Sequence, residues 1–70
     1  MAELIEITVN GQRRSTPEGA SVADLLASLR LPTGKVAVER NLEIVPRSQF
    51  AQAALAAGDR LEIVHFVGGG

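Results

Sequence analysis

The chain contains no cysteine, tryptophan or tyrosine, only two phenylalanines and a single histidine, His65. Each shortage closes a class of function. Without Cys there is no disulfide, no thiol nucleophile and no thiolate zinc site. One His without Cys argues against a bound metal. With only Phe50 and Phe66 there is little on which nucleobases could stack. Nor is there an excess of positive charge: 7 Lys and Arg stand against 8 Asp and Glu, and the longest basic run is Arg13-Arg14. Nucleic acid is therefore not an expected partner. No apolar run approaches the ~18 residues of a membrane span. Met1-Ala2-Glu3-Leu4 places an acid early and lacks the charged and apolar regions of a signal peptide. A cytoplasmic protein with no membrane partner is expected. Neither a phosphate-binding P-loop nor a G-x-S-x-G elbow is present. His65, the one conventional near-neutral base, lies between Val64 and Phe66 with no nucleophile beside it. No catalytic residue is expected.

Seventy residues make one domain. At roughly 0.05–0.15 kcal/mol per residue its stability is about 3.5–10 kcal/mol. With no staple available, regular elements must supply it. Leu4-Ile-Glu-Ile-Thr-Val9 alternates, with Ile5, Ile7 and Val9 on one face, and predicts a half-buried strand. Asn10-Gly11 predicts a two-residue hairpin turn, because both central positions need positive φ. Residues 12–16 are polar and suit an edge strand. Ser21 and Asp24 have the spacing of a capping box. Val22, Leu25, Leu26 and Leu29 form one apolar stripe of a helix over about 22–30, which Leu31-Pro32-Thr33-Gly34 breaks. Strands follow at about 35–40 and 43–45. A short helix is expected over about 49–56, capped by Ser48 and anchored by Phe50 and Leu55, with Gly58 in the left-handed position after it. The last strand is 61–67.

This order is β-β-α-β-β-(short helix)-β. A single strong helical stripe covers one face of the sheet and leaves the other open. The last strand returns beside the first through the long 46–60 connection, most simply at the sheet centre. The expected fold is α+β, a β-grasp or ubiquitin-like mixed sheet with one main helix on one face. Residues 1–67 would form the domain, and 68–70 a C-terminal tail.

Two features of this scaffold carry chemistry. Gly68-Gly69-Gly70 follows a strand directly. Glycine lacks Cβ, so the tail is expected to be thin and flexible, and three extended residues reach about 10 Å. It ends in a carboxylate, ionised at neutral pH. That group is a poor electrophile until joined to the α-phosphate of ATP, and this chain shows no nucleotide site of its own. The second feature is the last strand. If Leu61 and Ile63 face the helix, Val64 and Phe66 face the open side, as an apolar docking patch beside the tail.

The stretches Val36-Ala-Val-Glu-Arg-Asn41, Glu43-Ile-Val-Pro-Arg-Ser48 and Gly58-Asp-Arg-Leu-Glu-Ile-Val-His-Phe-Val-Gly-Gly-Gly70 resemble the thiamine-pathway sulfur carriers, the ThiS family. The most specific piece is Ile63-Val-His-Phe-Val-Gly-Gly-Gly70. The molybdopterin carriers share the fold and the Gly-Gly end, but usually not the Val-His-Phe-Val lead-in. The resemblance implies a protein co-substrate, monomeric when free, that binds no cofactor itself. A separate E1-like adenylating enzyme, using ATP and magnesium, would activate the Gly70 carboxylate. A cysteine desulfurase or another sulfur donor would supply the sulfur of a Gly70 thiocarboxylate, and thiazole synthase would take it. Gly68 and Gly69 would be the tail that enters both partners, and Val64 and Phe66 would lie near the docking surface. A ubiquitin-like modifier, and an interaction module with an inert tail, are the other readings. The family often has Asn-Gly between strands three and four. Here it is Asn41-Leu42, and because leucine resists positive φ a turn other than type I′ is expected. The Ala-rich 51–57 segment is expected to be more helical than in the family.

Overall fold

The computed structural model describes residues 3–66. Its elements are β1 (Leu4–Val9), β2 (Gln12–Pro17), α1 (Val22–Ser28), β3 (Val36–Arg40), β4 (Glu43–Val45) and β5 (Arg60–His65), with single 3-10 turns at Thr33–Lys35 and Arg47–Gln49. The strands form one sheet in the order β2-β1-β5-β3-β4. The last strand lies at the centre, parallel to β1 and antiparallel to β3. The polar β2 takes one edge, where its unpaired side meets water. Asn10 and Gly11 both have positive φ, 50° and 82°, as a type I′ turn requires, and the turn sets Val9 opposite Gln12.

Alternation puts Ile7 and Val9 of β1, Val36 and Val38 of β3, and Leu61 and Ile63 of β5 on one face. There they form a core with Val22, Leu25 and Leu26 of α1. Phe50 and Leu55 close it from the long connection, as their anchoring role predicts.

The helix start is fully accounted for. Ser21 N–H donates to Asp24 Oδ2, and Asp24 N–H donates to Ser21 Oγ, forming the expected capping box. Val22 N–H donates to the Ala53 carbonyl and Ala23 N–H to the Phe50 carbonyl. All four donors that a helix N-terminus leaves free therefore have partners.

The same bonds correct one expectation. Residues 49–56 form no α-helix. A 3-10 turn at Arg47–Gln49, begun by Pro46 and without a Ser48 side-chain cap, leads into turns and a bridge between Ser21 and Ala54. In a helix, the Phe50 and Ala53 carbonyls would accept from residues four further on. Here they accept from α1, and Leu55 N–H donates to the Ala20 carbonyl. Alanine propensity is a preference of tenths of a kcal/mol per residue, and satisfying the buried helix start outweighs it.

The main helix also stops at Ser28, short of the expected 30. Arg30 adopts φ 59°, its N–H donates to the Ala27 carbonyl, and Leu31 N–H donates to the Leu26 carbonyl. This is a Schellman ending with arginine where glycine is usual. It turns Leu31 back against the core. The third strand starts at Val36, because Lys35 belongs to the 3-10 turn. A further correction concerns Asn41-Leu42: both residues have positive φ, 52° and 71°, the type I′ signature that leucine was expected to prevent.

Candidate functional site

The face of the sheet away from α1 carries the side chains of opposite parity. On β5 these are Arg60, Glu62 and Val64. Register sets Val64 opposite Ala37, and sets Glu39 opposite both Glu62 and Ile44. An apolar row, Ala37 and Val64, thus adjoins a row of Ile44, Glu39 and Glu62. Val64 is 56% exposed and Ile44 68%. Phe66 is one residue past the strand. Its N–H donates to the Lys35 carbonyl, continuing the β3 pairing, and it is 49% exposed. The predicted docking residues Val64 and Phe66 are therefore solvent-accessible, while Leu61 and Ile63 are buried against the helix. Gly68, Gly69 and Gly70, with the domain boundary expected at 67/68, lie outside the described residues.

Two residues of this face escaped the sequence reading. Ile44 sits in a three-residue strand, too short for alternation to show which side faces inward. Leu42 stands at the tip of the β3–β4 turn, 90% exposed. An apolar side chain in a turn was the available signal. A groove of about 630 Å³ runs beside Leu42, lined by Thr8, Gly11, Glu39, Arg60 and Glu62.

Leu42 combines full exposure with a left-handed backbone, and the second costs an L-residue roughly 1–2 kcal/mol. Among the described residues, no packing offsets that cost. Leu42→Gly is expected to stabilise the fold by about 0.5–1 kcal/mol, seen as a higher urea midpoint at unchanged slope. An unchanged or lower midpoint would mean the turn is not strained.

Glu39 and Glu62, directly opposite across the β3–β5 ladder, are like charges in a position that disfavours the sheet. Toward the far edge of this face, Arg13 and Glu6 form an exposed ion pair 2.9 Å apart. His65 points to the helix side, in a shallow groove with Asn10, Gln12, Arg14, Leu29 and Leu31. None of these is a nucleophile of the Ser, Thr or Cys type. Among the described residues, no group of three or more His, Asp and Glu is arranged around a metal position, and no helix is long and apolar enough to cross a membrane.

A central last strand between β1 and β3, one helix on one face, and an open face of mixed apolar and charged character define a ubiquitin-like β-grasp domain. The model of the ThiS family matches residues 1–70. The chain belongs to the ThiS family. It is 48% identical over 50 residues to the sulfur carrier protein ThiS of Bacillus subtilis, covering 71% of this chain and 76% of that one. It is 50% identical over 66 residues, 94% of its length, to a thiazole synthase of Paramagnetospirillum magneticum. The chain spans only 20% of that protein, and 20% of a thiazole synthase of Magnetococcus marinus. The crystal structure of the thiamine biosynthesis protein ThiS from Geobacter metallireducens superposes with a TM-score of 0.80 at 33% identity, covering 94% of this chain and 100% of that one.

Proposed function

We propose that this chain is a sulfur carrier of thiamine biosynthesis, a co-substrate that holds its reactive group on the backbone at Gly70. The observation that carries this reading is the family match, which runs through Gly68-Gly69-Gly70. The chemistry follows from what a carboxylate needs. A separate adenylating enzyme joins the Gly70 carboxylate to the α-phosphate of ATP, with magnesium on the phosphates, and pyrophosphate leaves. The sulfur nucleophile that attacks the acyl carbon is either sulfide itself or the persulfide of a cysteine desulfurase; the persulfide route passes through an acyl disulfide, which a thiol reductant then cleaves. The C–S bond forms, the bond to AMP breaks, and Gly70 becomes a thiocarboxylate. The two relatives named as thiazole synthases contain a segment like this chain. This supports thiazole synthase as the acceptor of the sulfur.

Docking would use the open face. Val64, Phe66, Ile44 and Leu42 supply apolar contact area, and Glu39 and Glu62 favour a partner with basic side chains. On this reading the strain at Leu42 is retained for contact. The stabilised Leu42→Gly variant then binds its partners more weakly than the wild type does.

Intact-mass analysis after incubation with ATP, magnesium, an activating enzyme and a sulfur donor tests the function. Replacement of one terminal oxygen by sulfur is the expected result. Isopeptide-linked ladders on other proteins would instead make it a ubiquitin-like modifier. Sulfur transfer to a molybdopterin precursor, and not to thiazole, would place it on the other carrier branch.

A further inference from the structure

The β1–β5 ladder ends in an unusual way. Thr8 N–H donates to the Asp59 carbonyl and Asn10 N–H to the Leu61 carbonyl, the regular spacing of a parallel pair. The next rung should join Ile63 to the backbone of residues 10 and 12. But β1 turns away there, into the Asn10-Gly11 hairpin. The Asn10 side chain fills the rung. Ile63 N–H donates to Asn10 Oδ1 at 2.7 Å, and Asn10 Nδ2 donates to the Ile63 carbonyl at 3.1 Å. A carboxamide has the donor and acceptor of a peptide group, so it stands in for the backbone that has left. Beyond Ile63, the described part of β5 is held from the β3 side, by the Val36–His65 pairing and the Phe66 bond to Lys35.

We propose that Asn10 is a positioning residue for the outgoing end of β5. Its side-chain amide extends the sheet by one rung on the β1 side. It thereby keeps Val64 on the open face and holds the described end of β5 in line. Only the consequence for partner enzymes rests on the carrier function proposed above. A carrier whose last strand is already aligned loses less conformational freedom when it docks.

Two substitutions separate this role from that of a turn residue. Asn10→Gly tolerates the positive φ and removes the amide. Asn10→Asp keeps an acceptor for Ile63 N–H but loses the donor and sets a carboxylate against the Ile63 carbonyl. In the glycine variant, amide hydrogen exchange at Ile63 is expected to be roughly tenfold faster than any global change explains. Order parameters at Val64, His65 and Phe66 should fall, while the Leu25 and Leu26 amides follow global stability. The aspartate variant should be intermediate at Ile63. In ATP–pyrophosphate exchange with an activating enzyme, the KM for the glycine variant should rise about three- to tenfold, with kcat within about twofold. A residue needed only for its turn would leave Ile63 exchange unchanged in the glycine variant, which overturns the proposal. An unchanged KM alongside faster exchange overturns the consequence for partner enzymes and leaves Asn10 holding the strand alone. If the wild-type chain is no substrate at all, the carrier reading fails, and the exchange and order-parameter results still decide whether Asn10 holds the strand.

Discussion

Deleting Gly70 is expected to abolish ATP–pyrophosphate exchange with an activating enzyme while leaving the fold intact. The chemical half follows from the proposed function. The chain without Gly70 ends in Gly69, one residue shorter. An extended residue spans about 3.3–3.6 Å, so the remaining carboxylate stops that far from the α-phosphate, where in-line attack needs contact. A shift of about 1 Å can already cost about a hundredfold in rate. The structural half follows from the core, whose buried apolar side chains all lie between Ile7 and Ile63. Circular dichroism and the urea midpoint should match the wild type. Undiminished exchange by the shortened chain would show that the reactive group is elsewhere and would end the carrier reading.

Leu26→Ala should have the largest effect on stability. Leu26 is 0% exposed, at the centre of the helix stripe among Ile7, Val38 and Leu61. Truncating a buried leucine costs about 2–5 kcal/mol, from lost transfer free energy and the cavity left behind. A chain of this length has about 3.5–10 kcal/mol in total, and without a disulfide it has no other reserve. Chemical denaturation should show a midpoint lowered by about a fifth or more, and the unfolded form becomes populated at 37 °C toward the upper end of that cost. A midpoint within a few tenths of a kcal/mol of wild type would mean that α1 is not what holds the sheet. The same packing backs β5 from behind, so partner binding should fall together with stability in this variant. That contrasts with Leu42→Gly, where the two should move in opposite directions.

Much of this architecture is local in origin. Alternation in 4–9 and in the last strand, the Asn10-Gly11 turn, the Ser21/Asp24 box and the stripe Val22, Leu25, Leu26 and Leu29 each depend on residues a few positions apart. All appear, although the last strand, expected over 61–67, is Arg60–His65 among the described residues and Leu29 lies just past the helix end. The parity of Leu61 and Ile63, with one helix to cover one face, puts Val64 on the open side, where it is exposed; Phe66, one residue past the strand, is half-exposed. The helix over 49–56 failed because its carbonyls serve a different element, which local propensity does not register. The Asn41-Leu42 turn failed for a related reason. Asn41 N–H donates to the Arg60 carbonyl, its Oδ1 accepts from Arg60 N–H, and its Nδ2 donates to Asp59 Oδ1. These bonds to the start of β5 fix the turn and hold Leu42 at positive φ against its own preference.

Asn10 shows the same division at one residue. The Asn10-Gly11 dipeptide is enough to make Asn10 turn the chain, because its positive φ is a local property. That its side chain completes a rung to Ile63, fifty-three positions away, follows from the pairing of β1 with β5. Likewise the strand alternation, the helix stripe and the Gly68-Gly69-Gly70 ending were legible from spacing and composition. The merging of Ile44 and Leu42 with Val64 into one face was not. Periodicity reports which side of its own element a residue occupies. Which elements then lie side by side depends on backbone hydrogen bonds and burial summed over the whole chain.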